Sequence, residues 1–129
     1  NTVMAAVVEL SVTKNYDVIV DKVTYVVDAG PVIHPDQGIA QMESCTIFGL
    51  SACLFGEITI KNGRVEQGNF NDYPLLRLDE MPEIEVHIVK SAEHPGGVGE
   101  PGTPPIAPAV ANAVFAATGK PVRKLPIRI

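Results

Sequence analysis

The chain has 129 residues, 46% hydrophobic, 19% charged and 5% aromatic, with a formal net charge of −5. That length admits a single domain with its own core, and that apolar fraction excludes a disordered chain. The ten Lys and Arg are scattered apart from Lys120, Arg123, Lys124 and Arg128, so the chain lacks the strong basic face that nucleic-acid binding requires.

No run of about 18 apolar residues occurs, as a membrane span would need, and no charged-then-apolar signal segment opens the chain. A soluble protein is expected, with cytoplasm and periplasm both open. The chain starts Asn1-Thr2-Val3 without an initiator Met and moves at once into strand-like sequence. It is therefore expected to be part of a longer natural protein.

Residues 3–13 (VMAAVVELSVT) and 18–28 (VIVDKVTYVVD) are Val-rich with partial alternation, which predicts two strands joined by a hairpin at residues 14–17 (KNYD). Gly30, Pro31 and Pro35 break that pattern. Apolar residues then recur at helical spacing through Ile39, Met42, Ile47, Leu50 and Leu54, predicting a helix over about 35–55 with Pro35 in its first turn and Gly56 as its stop.

Residues 57–70 predict a second hairpin, because Asn62-Gly63 suits a tight turn with positive φ. Residues 83–89 (EIEVHIV) alternate as a half-exposed strand does. Residues 108–118 (PAVANAVFAAT) are apolar almost all round and predict a buried helix, with Pro108 in its first turn and Gly119 at its end. The expected fold is α+β, one domain with a largely antiparallel sheet packed against the helices at about 35–55 and 108–118. If helix 108–118 finds too little cover within the chain, a second copy or a further part of the protein must bury it, and self-association follows.

Cys45 and Cys53 lie eight residues apart on the first helix, about 12 Å along its axis, too far for a disulfide. They read as buried thiols serving as small hydrophobes. His34, His87 and His94 are not spaced as in a metal motif, and no metal-ligand set is assigned.

The chemistry concentrates in residues 94–105, HPGGVGEPGTPP, where one carboxylate, Glu100, sits among four glycines and four prolines. Glycine lets a ligand approach the backbone and proline restricts its neighbours, so the segment reads as a shaped loop. Glu100 is then either a general base in a cleft or the solvated residue of an ordinary turn. Gln41, Glu43 and Asn112 interrupt apolar helices, and they either satisfy local groups or face a ligand. Neither a P-loop nor a Ser-His-Asp or Cys-His arrangement is present.

Four ordered blocks carry a resemblance: residues 26–65, 69–89, 96–120 and 122–127. Together they resemble the C-terminal part of the molybdenum-binding subunit of the xanthine dehydrogenase/aldehyde oxidase family, within it the isoquinoline 1-oxidoreductase beta-subunit branch. The resemblance implies hydroxylation of a carbon next to a ring nitrogen, or of an aldehyde, with water as oxygen source. It implies a molybdopterin cofactor, commonly the cytosine dinucleotide form, and a partner subunit or domain carrying two [2Fe–2S] clusters. Glu100 falls on the glutamate of the family's G-x-G-E-P motif, the base that deprotonates Mo–OH. Gly99 would admit the backbone close to the metal centre, and Gln41 falls on the glutamine of the Q-x-E-G helix start that contacts the pterin. Here Ser44 stands in place of that glycine. Family subunits are several times longer, so the chain is expected to be a piece that binds no cofactor and is inactive without the remainder of the subunit. Two alternatives are a non-catalytic interaction module and a split small subunit that keeps the terminal fold.

Overall fold

The computed structural model describes residues 1–129. Strands β1 (Val3–Val12) and β2 (Val18–Asp28) form an antiparallel hairpin. Its turn is held by Thr13, whose N–H donates to Asp17 O at 3.0 Å and whose Oγ1 accepts from the N–H groups of Asn15 and Asp17. Tyr16 completes the reversal with φ 67°.

The partial alternation of β2 has a structural cause. The register passes from Glu9↔Lys22 to Leu10↔Val20, so Asp21 is an extra residue, and Ser11 Oγ donates to its carboxylate at 2.6 Å. A bulge of this kind shifts side-chain parity by one. Val20 therefore faces the core on one side of it, and Val23, Tyr25 and Val27 face the core on the other.

Helix α1 (Pro35–Leu54) follows, with Pro35 at its start as expected and His34 Nδ1 accepting from Gln37 N–H as its N-cap. Gly56 does stop it, for a reason other than left-handed φ. Its N–H donates to the carbonyls of Ser51 and Ala52, and a Cβ there would lie 2.9 Å from Ala52 O. At the same helix end, Arg128 Nη1 donates to Leu54 O and Ile127 N–H to Cys53 O, both at 2.8 Å. The last residues of the chain thus satisfy carbonyls that a helix C-terminus leaves open.

The short hairpin of β3 (Ile60–Lys61) and β4 (Arg64–Val65) turns at Asn62-Gly63, both at positive φ, as the sequence predicted. A 3₁₀ turn at Leu78–Glu80 leads into β5 (Glu83–Ile88). β5 pairs with β2 in parallel, giving a three-stranded sheet of order β1-β2-β5. Two of the three strand pairings are antiparallel, so the α+β fold is the expected one. The parallel pair follows from the long crossover through α1, which returns the chain to the same end of the sheet. On the outer face Lys22 Nζ lies 2.8 Å from Glu85 and 3.0 Å from Glu83, tying that parallel register.

Helix α2 (Thr103–Thr118) starts five residues before the expected 108 and carries Pro108 in its interior. Pro104 and Pro105 occupy the first turn, where a missing N–H costs nothing. Starting there also places Ile106 in the buried row with Val110 and Val114, all at 0% exposure. Burying one such side chain is worth about 1.5–3 kcal/mol, which offsets much of the roughly 3 kcal/mol cost of an interior proline. Gly119, at φ 71°, ends the helix as expected and donates to Phe115 O.

Both helices cover one face of the sheet. The core joins Val20, Val23 and Tyr25 to Met42, Leu50 and Cys53 of α1 and to the Ile106 row of α2. Gly49 sits where the helices meet, and Ile106 fills the space its side chain would need. The outer sheet face is uncovered, with Val3, Val7 and Val26 exposed at its apolar end. α2 is buried on one face only, and Phe115 remains exposed.

Candidate functional site

The loop between β5 and α2 is fastened at nearly every second residue. Gly96 N–H donates to Ala29 O at 2.8 Å, and Thr2 Oγ1 donates to Gly97 O at 2.6 Å. Cys45 Sγ donates to Gly99 O at 3.3 Å, and Tyr25 Oη donates to Gly102 O at 3.1 Å. Thr103 N–H closes a turn onto Glu100 O at 2.9 Å, and Thr103 Oγ1 reaches Cys45 O at 3.4 Å. Gly30, at φ 67°, lets the chain pass against the carbonyls of Glu93 and His94, where a Cβ would sit 2.7 and 2.8 Å away. The shaped loop that the Gly/Pro pattern implied is a tethered one.

Its glycines divide into two kinds. A side chain at Gly96 would collide with Thr2, and at Gly102 a Cβ would lie 2.7 Å from Cys45 Cβ. Those two are glycine because the protein itself leaves no room. Gly97 has nothing within 4 Å of a Cβ, and Gly99 meets only Gln41 Oε1 at 3.7 Å. Neither has positive φ, so internal packing and backbone geometry give no reason for glycine at 97 or 99.

The fold brings Gln41, from the first half of α1, beside Gly99, the residue before Glu100. Gln41, Gly99 and Glu100 are all exposed, and the Glu100 side chain has no protein hydrogen-bond partner. The backbone N–H groups of residues 97–100 also donate to no protein acceptor. An open backbone strip with free donors and an exposed amide suits an acceptor-rich ligand lying against the loop, and the acceptor-only Glu100 carboxylate stands beside that strip. Molybdopterin, with its phosphate and pterin acceptors, fits this donor set.

Other sequence candidates lie elsewhere. Glu43 and Ser44 are exposed on α1. Asn112 lines a separate cavity of about 690 Å³ with Phe115 and Arg123, between α2 and the chain's last residues, to which the Glu100 loop contributes nothing. His34 caps α1, His87 pairs with Glu85 at 2.9 Å, and His94 lies in the loop, so the three histidines are not gathered. No group of three or more His, Cys, Asp or Glu is placed to hold a metal ion. No helix is long and apolar enough to cross a membrane.

Tyr25 and Cys45 were not singled out as site residues from sequence. Cys45 and Cys53 are free and buried, as expected, and burial pushes the Cys53 thiol up to about 11. Cys45 has the further task of holding Gly99. A signal for Tyr25 did exist: it is the one aromatic residue in a Val-rich strand, and a buried phenol needs a partner. Its pKa is raised, chiefly by burial, so it stays a donor at ordinary pH.

Comparison with known proteins places the chain in a family. Isoquinoline 1-oxidoreductase subunit beta of Brevundimonas diminuta is 40% identical over 109 residues, 84% of this chain and 14% of that protein. A membrane-bound aldehyde dehydrogenase of Gluconacetobacter polyoxogenes, whose name specifies pyrroloquinoline quinone, is 43% identical over 107 residues, 83% of this chain and 14% of that protein. The chain therefore spans about 14% of the length of these relatives. Quinoline 2-oxidoreductase from Pseudomonas putida 86 shares the fold, with a TM-score of 0.80 at 20% identity over 88% of this chain and 16% of that one. Residues 1–82, which hold the hairpin, α1 and Gln41, match the molybdopterin cofactor-binding domain, and the chain belongs to that family.

Proposed function

We propose that this chain is one folded piece of a molybdenum hydroxylase subunit that oxidises an N-heterocycle of the isoquinoline kind, or an aldehyde, with water as oxygen source. The observation that carries the reading is the pair Gly97 and Gly99. Nothing inside the protein requires glycine at either position, yet both stand open on a loop tied to the core, and Gly99 lies beside the Gln41 amide and next to Glu100.

The cofactor, molybdopterin in its cytosine dinucleotide form, supplies the two-electron redox chemistry when bound. The chain's own residues do the rest. The amide of Gln41 and the backbone at Gly97 and Gly99 hold the cofactor's polar edge, and the absence of side chains at 97 and 99 allows close approach. The Glu100 carboxylate takes the proton from the water that provides the new oxygen, a transfer typically worth about 10²–10⁴ in rate.

Glu100 and Gln41 cover only one side of such a site. The remainder of the molybdenum subunit supplies the other cofactor contacts and the substrate pocket, and an iron–sulfur subunit with [2Fe–2S] clusters takes the electrons. Because catalytic groups act only in fixed mutual geometry, this piece by itself is inactive.

The test is Glu100→Gln in the full-length protein. Molybdenum and pterin content should stay at the wild-type level while turnover of an N-heterocycle or aldehyde falls by about 10²–10⁴. Wild-type turnover in that variant would refute the assignment of Glu100.

A further inference from the structure

Glu100 has no side-chain partner in the protein, so its direction is set by its backbone, and two donors from the core hold that backbone. Cys45 Sγ, on α1, binds the carbonyl one residue before it, and Tyr25 Oη, on β2, binds the carbonyl two residues after it. Both donors are buried, Tyr25 at 0% and Cys45 at 3% exposure. They reach the loop from different elements of the same core, 77 and 54 residues away in sequence.

We infer that Tyr25 and Cys45 are positioning residues, which fix the carbonyls flanking Glu100 and so aim its carboxylate. The inference rests on the reading of Glu100 as the proton acceptor. A Phe would fill the Tyr25 site equally well as packing, and burying a hydroxyl is unfavourable unless it is bonded. The Tyr25 hydroxyl donates a hydrogen bond to Gly102 O. Thr46 Oγ1 stands 3.3 Å behind it and 2.9 Å from Met42 O, and its single proton goes to one of these two acceptors at a time. Gly102 has no side chain to hold this carbonyl away, since any Cβ would strike Cys45. Thr103, bonded both to Glu100 O and to Cys45 O, closes the same bracket at the start of α2.

The experiment uses the full-length holoenzyme with Tyr25→Phe, Cys45→Ala and Cys45→Ser, and Glu100→Gln in parallel. Steady-state kinetics and amide hydrogen exchange of peptides covering residues 94–103 are both measured, the loop readout being the Gly96 and Thr103 amides, which donate to Ala29 O and Glu100 O. Tyr25→Phe should leave molybdenum content and KM unchanged, lower kcat roughly tenfold and speed exchange in the loop by a similar factor, the scale of one lost buried hydrogen bond. Cys45→Ala should show the same pattern at roughly two- to threefold, because a thiol is a weak donor, and Cys45→Ser should restore both readouts. A tether without positioning would speed exchange and leave kcat alone, and that result overturns the inference. So does unchanged loop exchange in both Tyr25→Phe and Cys45→Ala. If Tyr25→Phe loses the cofactor through misfolding, the Cys45 pair decides. Full turnover in Glu100→Gln would sink the proton-acceptor reading instead, and the exchange data would then judge the tether separately.

Discussion

Adding one methyl group to the loop at two places five residues apart should have opposite consequences. At Gly102 the backbone is helical, φ −71° and ψ −19°, so alanine meets no conformational penalty and Gly102→Ala is a purely steric change. Its Cβ would lie 2.7 Å from Cys45 Cβ and 3.0 Å from Met42 Cε. Ordinary carbon contacts are about 3.5–4.0 Å, so the first is short by roughly 1 Å. The Met42 methyl can rotate away, but Cys45 Cβ is fixed to the α1 backbone and cannot. Overpacking of this kind costs about 1–3 kcal/mol, and the lower entropy of the unfolded alanine chain returns about 0.4–1 kcal/mol. A net loss of about 1–2 kcal/mol is expected. Gly97→Ala meets nothing within 4 Å and should leave stability unchanged or raise it by about 0.4–1 kcal/mol. In the full-length enzyme, however, it should weaken cofactor retention. Urea unfolding of the chain measures the stability difference as a shift in midpoint at constant slope. A midpoint for Gly102→Ala at or above wild type would refute the packing argument. Full cofactor content in Gly97→Ala would refute the claim that position 97 is glycine for the ligand's sake.

Two further outcomes follow from burial. The Cys53 thiol titrates near 11 when folded and near 9 in an unfolded chain, so above pH 9 the unfolded state binds fewer protons than the native one. The Cys53 contribution should be level below pH 9 and be lost as pH rises from 9 to 11, so Cys53→Ala should reduce, in denaturation curves taken at each pH, an alkaline decline to which the buried Tyr25 phenol also contributes. Ile106→Ala should cost about 2–5 kcal/mol because its side chain is fully buried against Gly49, while Phe115→Ala on the exposed side of the same helix should stay within about 0.5 kcal/mol. Equal midpoint shifts for the two would contradict the observed orientation of α2.

The local pattern of the chain determined its elements by itself, because those signals act over a few residues. The period of α1, the Asn62-Gly63 reversal and the Gly119 stop are all set by neighbours within one or two turns. The ordered motifs around Gln41 and Glu100 likewise carried the family resemblance. Tertiary structure decided what depends on distant partners. β5 lies parallel to β2 because of the crossover between them, and α2 runs through Pro108 because Ile106 finds a place against Gly49. The same holds for the loop glycines, which look alike in sequence: Gly96 and Gly102 serve packing against Thr2 and Cys45, and Gly97 and Gly99 stand open. Tyr25 and Cys45 acquire their hold on the Glu100 loop only when strand, helix and loop converge, since a hydrogen bond spanning 77 or 54 residues leaves no local trace.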